Sequence, residues 1–447
     1  MFFYIFLIRT EIFYTVEKNN MEKVIAFLKN HKLRAGDIDF EKLVEDFNSE
    51  MDNGLKGIES SLLMIPTYIE ADNGLLTELP VVAIDAGGTN LRITVITFDK
   101  SGKLNLDEVR NFKMPGLDHE ISKEVFFQTI ASFVKPLVNK SDRIGFCFSY
   151  ATEIFPDKDG KLLHFCKEVQ APGVVGQFIG KSLLETMGTP EKKIVLLNDT
   201  VATLLAGKSN VSGKSYDSFI GFILGTGTNT SYIEQNINIH KNNNLDKGRS
   251  QIINIESGNF NLAARSDLDI IFDKTTNDPG KYSFEKMFSG GYFGGACLTV
   301  LKAAADEGIF SLSAAKNLKR INNLSTGEVS SYLENSASVS SILSAWFPET
   351  DDSQNCRYII NSLIERSAKL VAANLAAVIL KTGKGKTAER PVLITVEGTT
   401  YYKLSGLKSG VENNLNEYLS LNKKRYVEFT EVANSGLIGA AIAVLTE

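Results

Sequence analysis

The chain has 447 residues, which exceeds the usual size of one compact domain and predicts about two or three domains. Its content of 43% hydrophobic and 23% charged residues is typical of a globular protein. The net charge is −5, with both signs spread along the chain, so no basic block indicates a nucleic-acid partner. An acidic balance does not exclude ATP, because backbone amides and a metal ion can hold phosphate locally.

Four cysteines lie far apart in the chain, and no two of them form a CxxC pair. This spacing argues against a disulfide framework or a zinc site and predicts a reducing, cytoplasmic location. The cysteines are Cys147, Cys166, Cys297 and Cys356.

The N-terminus begins with the apolar stretch MFFYIFLIRT, which is shorter than the about 20 residues that a membrane span needs. It also lacks the charged leader and small-residue cleavage site of a signal peptide. Because Met21 opens a clean amphipathic segment, we interpret residues 1–20 as an N-terminal extension, for example from a misassigned start. A weak membrane-surface anchor is the alternative, and no other apolar stretch predicts a stable membrane span.

The segment after the extension is predicted to be helical. Apolar residues from Phe40 to Met51 recur at helical spacing, so we expect residues 21–54 to be helical, with Gly54 as the C-cap. Pro66 then ends any helix.

Two strand–turn–strand units come next in the chain. In the first, the apolar run LPVVAID leads through the turn DAGGTN into the alternating stretch LRITVITF. Residues 218–234, SFIGFILGTGTNTSYIE, repeat this arrangement, and a third, looser copy is predicted at residues 391–403. The two clear copies indicate an internal duplication at the level of supersecondary structure.

Buried strands are also predicted at residues 144–148 and 193–197, with a helix at 173–187 between them. Further helices are predicted at residues 281–306, after the Ser325–Glu328 capping box, at 357–381 and at the C-terminal SGLIGAAIAVL. Strands mixed with helices predict an α/β architecture.

The turn between residues 85 and 90 is suited to hold phosphate. Gly87 and Gly88 tolerate positive φ, so the backbone can present several N–H groups to an anion, and Thr89 can add a hydroxyl. Asp85 ends the strand, where it can hold a hydrated Mg²⁺. A Rossmann fingerprint or a P-loop is excluded because the next element is a strand and not a helix.

A plain β-turn would explain one such turn by itself. The second turn, at residues 225–228, favours the phosphate-binding interpretation, because actin-like ATPases grip the phosphates of ATP between two hairpins of this kind.

From about Leu63 to the C-terminus, the chain resembles the hexokinase family of eukaryotic type, within the actin-like ATPase superfamily. The order and spacing of the matching motifs are highly specific. The motifs are MIPTYIEADNG, IDAGGTNLRI, FSYATEI, GKLLHFCKEVQAPG, LLNDTVATLLAG, GFILGTGTNTSYIE, IINIESGNF, FEKMFSGGYFGG, VEGTTYYK and SGLIGAA.

The resemblance implies an actin-like ATPase (ribonuclease H-like) fold with two lobes and a central cleft. The small lobe would comprise residues 68–197 and the C-terminal helix 434–447, and the large lobe residues 21–67 and 198–433. The implied activity is ATP- and Mg²⁺-dependent phosphorylation of a hexose, with glucose favoured, at the 6-hydroxyl, with closure of the lobes. The implied partners are therefore the hexose and MgATP.

The resemblance also implies a role for individual residues. Asp199 would be the general base, and Lys167 would neutralise charge on the moving phosphoryl group or bind the sugar. The sugar pocket would comprise Ser149, Cys166, Lys167, Asn198, Asp199, Asn229, Glu256 and Glu285. The nucleotide site would comprise Asp85, Gly87, Gly88, Thr89, Asn90, Gly225, Thr226, Gly227, Thr228, Gly398 and Thr399, with Asp85 serving the metal through water.

Elementary chemistry fits these roles. A sugar hydroxyl is a poor nucleophile, and a positioned carboxylate can accept its proton during attack. A polar pocket built for hydroxyl groups rejects analogues that lack them. Local sequence alone favours an N-cap at residues 198–200, and the resemblance favours the base. For Lys167 a surface lysine is the alternative, and for Glu285 the start of an amphipathic helix.

The chain departs from the family pattern at three places. Phe165-Cys166-Lys167 replaces Trp-Thr-Lys, Ser257 replaces a Trp, and Ala151 replaces a Pro. These changes concern the sugar side, so a kinase for mannose, fructose or an amino sugar stays open. A non-catalytic sugar sensor or actin-like scaffold is the alternative of a different class. The oligomeric state is not predicted.

Overall fold

The computed structural model describes residues 21–70, 73–165, 169–211, 213–242, 244–334, 341–347 and 351–446. The N-terminal extension, residues 1–20, lies outside these ranges, as do two residues of the predicted sugar pocket, Cys166 and Lys167.

Fourteen strands are present in the described ranges. They are β1 (Ile65–Pro66), β2 (Val81–Ala86), β3 (Asn90–Phe98), β4 (Leu104–Leu106), β5 (Arg110–Lys113), β6 (Arg143–Phe148), β7 (Ala151–Ile154), β8 (Gly160–His164), β9 (Lys193–Leu197), β10 (Ser218–Leu224), β11 (Thr228–Gln235), β12 (Ser250–Asn254), β13 (Val392–Glu397) and β14 (Val427–Thr430).

The strands form two large sheets with the same order. The small-lobe sheet runs β4-β3-β2-β6-β9, and the large-lobe sheet runs β12-β11-β10-β13-β14, with β1 beside β12. In each sheet the strand before the glycine turn pairs antiparallel with the strand after it, and the last two strands run parallel to the strand before the turn. The predicted internal duplication is therefore confirmed at the level of topology. β5 pairs with β3, and β7 and β8 form a separate hairpin.

The helices surround and separate these sheets. They are α1 (residues 21–30), α2 (Phe40–Lys56), α3 (Lys123–Val138), α4 (Ile179–Met187), α5 (Asp199–Ser209), α6 (Asp267–Asp273), α7 (Phe293–Asp306), α8 (Leu312–Leu318), α9 (Thr326–Glu334), α10 (Ile342–Trp346), α11 (Asp351–Thr382), α12 (Thr399–Lys403), α13 (Leu407–Glu417) and α14 (Ser435–Leu445). Short 3₁₀ turns occur at Ala35–Asp37, Pro172–Val174, Asn236–Asn238, Ser257–Asn259 and Glu285–Met287, and a π-helical turn at Tyr418–Lys423. None of the helices within the described ranges combines the length and the apolar character needed to cross a lipid bilayer.

Helices α5 and α14 cross between the two sheets at very close range. A Cβ atom at Gly439 of α14 would lie 2.1 Å from the carbonyl oxygen of Ala202 in α5. A Cβ atom at Gly145 of β6 would lie 2.0 Å from the carbonyl oxygen of Ala440. Glycine is therefore required at both positions, because any side chain would enter the backbone of the neighbouring helix. The small residues of SGLIGAAIAVL permit this packing.

Buried apolar side chains form three clusters. One lies within the small lobe, one within the large lobe, and the third lies around α5 and α14 between the sheets. The third cluster includes Val81, Cys147 and Leu197 from the small-lobe sheet, together with nearly every residue of α14. This central cluster fixes the starting point of α5, which carries the predicted base.

The N-terminal helical prediction is wrong in two respects. The helix is interrupted after residue 30, and α2 begins anew where the Asp39 side chain accepts a hydrogen bond from the Lys42 amide. Gly54 lies inside α2, where a Cβ atom would be 2.5 Å from Cγ of Met64, and the C-cap is Gly57, with φ of +73°. Gly54 is thus a packing residue.

Two further predictions are corrected. The third strand–turn–strand copy is wrong, because β13 leads through Gly398 into helix α12. The helix predicted at 281–306 begins only at Phe293, after irregular chain and a 3₁₀ turn. The capping box at Ser325 is confirmed, with its hydroxyl 3.2 Å from the Glu328 amide, as are α11 and α14.

Candidate active site

The candidate site lies where the parallel strands of both sheets end. β2, β6 and β9 run parallel, so their C-terminal ends lie at one edge of the small-lobe sheet. The chain beyond these ends carries the first glycine turn, Ser149 and the Asn198–Asp199 pair. In the large-lobe sheet the same edge carries the second glycine turn and Glu397. Crossover geometry thus brings together residues that are far apart in sequence.

The first glycine turn joins β2 to β3 as predicted. The Gly87 amide donates to the Asn90 carbonyl at 3.0 Å, while Gly88 is half-buried and the side chains of Thr89 and Asn90 are exposed. The Tyr150 hydroxyl donates to the Gly87 carbonyl at 2.9 Å. The open side of the turn is therefore free to face a ligand while its back is held.

The second glycine turn joins β10 to β11, and the start of α12 supports it from behind. The Gly225 amide donates to the Gly227 carbonyl at 2.9 Å, and the Thr400 hydroxyl donates to the Gly225 carbonyl at 2.8 Å. Gly398 has φ of +125°, and a Cβ atom there would lie 2.3 Å from the Leu224 backbone. Only glycine can allow this approach.

An open cavity of about 820 Å³ begins at the second turn. Its walls come from the turn itself, from α9, and from the segment that runs from α12 into α13. This volume is within the range of small-molecule and cofactor sites. The lining includes the predicted nucleotide residues Gly225, Thr226 and Thr399.

A hydrogen-bonded group of amides and a carboxylate lies beside the turns. Asn229 Nδ2 donates to Asn254 Oδ1 at 2.7 Å, and Asn254 Nδ2 donates to Glu256 Oε1 at 2.8 Å. The Glu256 amide donates back to Asn229 Oδ1 at 3.0 Å. Asn229 Nδ2 also makes a longer contact of 3.4 Å with Asn198 Oδ1. Glu256 has φ of +60°, so its backbone is held in a conformation that is rare for this residue type. Mutual bonding fixes these side chains before a ligand binds.

Glu285 contacts the second turn. Its Oε2 atom accepts a hydrogen bond from the Thr228 amide at 2.8 Å. A Cβ atom at Gly227 would lie 2.6 Å from the same oxygen. Thr228 was predicted to contact the nucleotide. Its amide also holds Glu285, which was predicted to bind the sugar.

Asn198 and Asp199 form the start of α5. Asn198 is the N-cap, with its side chain accepting from the Thr200 amide at 2.9 Å, and Asp199 is the first helical residue. Asp199 Oδ1 accepts from the same amide at 2.8 Å. Both side chains are half-buried. The predicted cap is thus confirmed, and it leaves the Asp199 carboxylate at the positive end of a helix, where negative charge is stabilised.

Three carboxylates gather at the floor of the site. Burial raises the pKa of Asp85, the Arg92 guanidinium 2.5 Å away opposes this shift, and the Asp199 charge adds to it. Burial also raises the pKa of Glu397, the hydrogen bond from Ser435 opposes this shift, and the charges of Asp85 and Asp199 add to it. The carboxylates thus come from both lobes and repel one another.

Replacing Glu397 by glutamine should stabilise the ligand-free protein more at pH 8 than at pH 5. In the unfolded chain the Glu397 carboxyl group loses its proton near the ordinary pKa of 4.5, whereas in the folded protein it keeps the proton to higher pH. The unfolded state then binds fewer protons, so the wild-type free energy of unfolding falls as pH rises through this window. We expect the gain at pH 8 to exceed the gain at pH 5, measured as the shift of the urea unfolding midpoint at constant slope. Glu365→Gln, at an exposed position on α11, is the control, and an equal gain at both pH values would refute the assignment.

The acidic group suits a hydrated divalent cation. No three His, Cys, Asp or Glu side chains in the described ranges are close enough to enclose a metal by themselves. Mg²⁺ usually keeps several waters and takes only one or two carboxylates together with substrate phosphates. Asp85 fits such a cation, because other carboxylates lie near it. The charge of Asp199 is close enough to raise the pKa of Asp85, and the charge of Asp85 is close enough to raise the pKa of Glu397.

The structure brings most of the predicted sugar residues together. Asn198, Asn229 and Glu256 form one hydrogen-bonded group, and Glu285 accepts a hydrogen bond from the amide of Thr228, the residue before Asn229. Ser149 comes directly after β6, and its amide donates to the Ala86 carbonyl at 3.1 Å. Ser257 points away from the cleft, since it is fully buried with its hydroxyl 3.1 Å from that of Thr230. Its replacement of a Trp therefore affects the core beneath the pocket.

Three residues of the site were not predicted from the sequence. Asn254 and Glu397 are each the last residue of a buried strand, and that position is the signal that could have identified them. Arg92 was not among the predicted site residues, and it pairs directly with Asp85. Its position on β3, seven residues after Asp85 on β2, follows from hairpin register.

Comparison with known proteins places the chain in a family. Residues 26–209 and 219–446 match two family descriptions, both of hexokinase. The chain is 28% identical over 411 residues to Hexokinase-7 of Oryza sativa subsp. japonica, covering 86% of this chain and 88% of that protein. It is 27% identical over 397 residues to a glucokinase of Aspergillus niger, covering 76% and 80% of the two chains.

The fold is similar to that of the solved hexokinase from Schistosoma mansoni complexed with glucose. The TM-score is 0.79 at 23% identity, covering 96% of this chain and 99% of that chain. The predicted α/β fold of the actin-like ATPases, with two lobes and a central cleft, is confirmed by this similarity. Because one family match alone spans more than half of the residues, the chain belongs to the hexokinase family.

Proposed function

We propose that this protein transfers the γ-phosphoryl group of ATP to the 6-hydroxyl of a hexose, with glucose as the preferred substrate. The observation that carries the proposal is the position of Asp199. Its carboxylate lies at the N-terminus of α5, with the amide-rich group on one side and the phosphate-side carboxylate Asp85 within electrostatic range. In this arrangement a base, a hydroxyl-binding surface and a phosphate-binding surface would meet at one point.

Asp199 would accept the proton of the sugar hydroxyl as attack develops. Its Oδ1 atom is held by the Thr200 amide, while Oδ2 accepts no hydrogen bond from the described residues, so one oxygen can face the substrate. Transfer between well-placed reactants depends mostly on positioning and charge stabilisation. The start of α5 would supply part of that charge stabilisation.

The sugar would be held by hydroxyl-directed polar groups. Mutual hydrogen bonds fix the orientation of Asn198, Asn229 and Glu256 in advance and support this role. The hydrogen bond from the Thr228 amide does the same for Glu285. We assign Ser149, Cys166 and Lys167 to the same pocket on the resemblance of their motifs.

The nucleotide would occupy the 820 Å³ cavity and reach the two glycine turns with its phosphates. Gly87, Gly88, Thr89 and Asn90 would contact phosphate from the small lobe. Thr226, Gly227 and Thr228 would do so from the large lobe, with Gly398 and Thr399 near the adenosine. Asp85 would hold Mg²⁺ through water, with Glu397 nearby, and the cation would offset phosphate charge.

We also propose the lobe boundaries given by the sequence, residues 68–197 with 434–447 and residues 21–67 with 198–433. The separate buried clusters within each lobe support this division. Closure on the sugar would exclude water and so limit wasteful ATP hydrolysis. A reducing, cytoplasmic setting is supported by Cys147, Cys297 and Cys356, which are buried free thiols.

A panel of sugars tested against MgATP by initial rates of ADP release is the direct test. Glucose, mannose, fructose, glucosamine and N-acetylglucosamine should be compared at equal concentrations, with 6-deoxyglucose as the analogue that lacks the acceptor hydroxyl. We expect glucose to give the highest kcat/KM and 6-deoxyglucose to give none. Folded protein that releases no ADP with any of these sugars would favour the non-catalytic sensor instead.

A further inference from the structure

Two side chains from opposite lobes, His164 and Tyr282, are in contact at the surface. His164 ends β8, a strand of the small lobe whose Leu162 is buried in that lobe's core. Tyr282 lies just before the Glu285–Met287 turn, and the neighbouring Phe284 is buried in the large-lobe core. The Nε2 atom of His164 lies 2.7 Å from the Tyr282 hydroxyl, which is a hydrogen bond across the cleft.

The backbone at Tyr282 is held in a disfavoured conformation. Its φ of +52° lies in the left-handed region, which bulky residues rarely adopt. Such strain persists where the surrounding structure holds it, and it is common at clamps and functional sites. In this conformation the Tyr282 ring lies beside His164, with ring centroids 6.5 Å apart.

The ionisation of His164 suits this contact. Burial lowers the pKa of the imidazole below its ordinary value of 6.5, and the nearby Lys281 charge lowers it further, although the Asp278 charge opposes them. The ring is therefore neutral near pH 7, and its unprotonated nitrogen can accept the hydrogen bond that the Tyr282 hydroxyl donates.

Each partner is joined to a different part of the candidate site. Tyr282 is three residues ahead of Glu285, whose carboxylate holds the second glycine turn. His164 precedes Phe165, whose ring packs edge-on against Tyr150 with centroids 5.1 Å apart. The Tyr150 hydroxyl in turn donates to Gly87 of the first glycine turn. The contact between His164 and Tyr282 therefore links β8 of the small lobe to the segment before the Glu285–Met287 turn of the large lobe.

We propose that His164 and Tyr282 form an interlobe latch that holds the cleft closed over the bound hexose. The latch is a pair of positioning residues, because neither side chain is placed on the reacting atoms. The proposal rests on the proposed function, since the hexose is the ligand that the closed cleft retains.

The test is a double-mutant cycle of Tyr282→Phe and His164→Leu, read by isothermal titration with glucose and by steady-state kinetics. Each single variant should raise the Kd and KM for glucose about three- to tenfold, which is the usual effect of losing one hydrogen bond, with kcat within about twofold. The double variant should be no weaker than the single ones, because both remove the same bond. His164→Gln, whose side chain can still pair with the hydroxyl, should retain most of the affinity.

Tyr216→Phe is the matched control, since it removes a tyrosine hydroxyl that bonds Glu428 at 3.0 Å within the large lobe. It should leave glucose binding unchanged. Single-variant effects that add in the double variant, or a KM equal to that of the wild type, would overturn the latch.

Small-angle X-ray scattering separates failure of the latch from failure of the proposed function. At saturating glucose both single variants should have a larger radius of gyration than the wild type. If the wild type phosphorylates no hexose, the proposed function fails. The radii of gyration of the wild type and the two single variants are then compared without sugar. An unchanged radius of gyration there would reject the latch as well.

Discussion

Asp199→Asn is expected to lower kcat about 10²- to 10⁴-fold while glucose binding, measured by titration calorimetry, changes by less than about threefold. The amide cannot accept the proton of the sugar hydroxyl, yet its oxygen can still accept the hydrogen bond that the Thr200 amide donates at 2.8 Å. The helix start and the neighbouring sugar residues should therefore keep their positions. The loss should appear in kcat because proton transfer accompanies attack and not ground-state binding.

The matched control is Asp267→Asn, because Asp267 is also the first residue of a helix and comes directly after a capping residue. It lies on the surface and pairs with His31, so its replacement should leave kcat within about twofold of the wild type. Equal turnover by Asp199→Asn and the wild type would remove Asp199 from the catalytic role. A parallel loss of sugar binding would instead indicate that Asp199 acts as a ligand alone.

Gly439→Ala should lower the free energy of unfolding by about 3 kcal/mol, which is at the upper end for added volume in a packed core. The new Cβ atom would lie 2.1 Å from the Ala202 carbonyl oxygen in the crossing helix, and backbone cannot move aside as a flexible side chain can. The measurement is the urea midpoint at constant slope. A shift of α5 would also displace Asp199, so kcat should fall together with stability.

Gly36→Ala provides the comparison, because a Cβ atom at Gly36 has no other atom within 4 Å. Its effect should stay within about 0.5 kcal/mol. Matching midpoints for the two alanine variants would show that α5 and α14 are not packed as closely as described.

The sequence predicted the strand–turn–strand units well, because glycine turns between apolar runs are local signals. It also predicted α5, α11 and α14 from helical spacing and caps. The ends of elements depend on contacts that are not local. Gly54 was predicted as the C-cap of the N-terminal helix, and only the position of Met64 against it shows that Gly54 is a packing glycine and that the helix ends at Gly57.

The third glycine segment was interpreted wrongly because its local pattern does not specify whether a strand or a helix comes after the turn. Gly398 is required by its approach to Leu224, a residue 174 positions earlier in the chain, and α12 then supports the second turn. The residues next to Gly398 in the sequence do not reveal a contact with a residue so many positions away in the chain.

The residues of the candidate site also fall into two classes, those with a local sequence signal and those identified only by their surroundings in space. Asp85 is the penultimate residue of β2, and Asn198, Asp199 and the two glycine turns come just after strand ends; all were predicted from motifs. Glu397 gained its significance only from the charges that surround it, and these come from both lobes. Electrostatic coupling depends on distances in space, which a single sequence does not give.

The position of α14 has a consequence for folding during synthesis. The small-lobe sheet is complete in sequence at Leu197, but one of its faces is covered by a helix that begins at Ser435. A ribosome adding ~5–20 residues per second needs roughly 10–50 s to make the intervening chain. During that interval the apolar face around Val81, Cys147 and Leu197 lacks its final cover. Because transiently exposed apolar surface promotes aggregation, we expect this face to be the most aggregation-prone part of the nascent small lobe until the eleven residues of α14 are released.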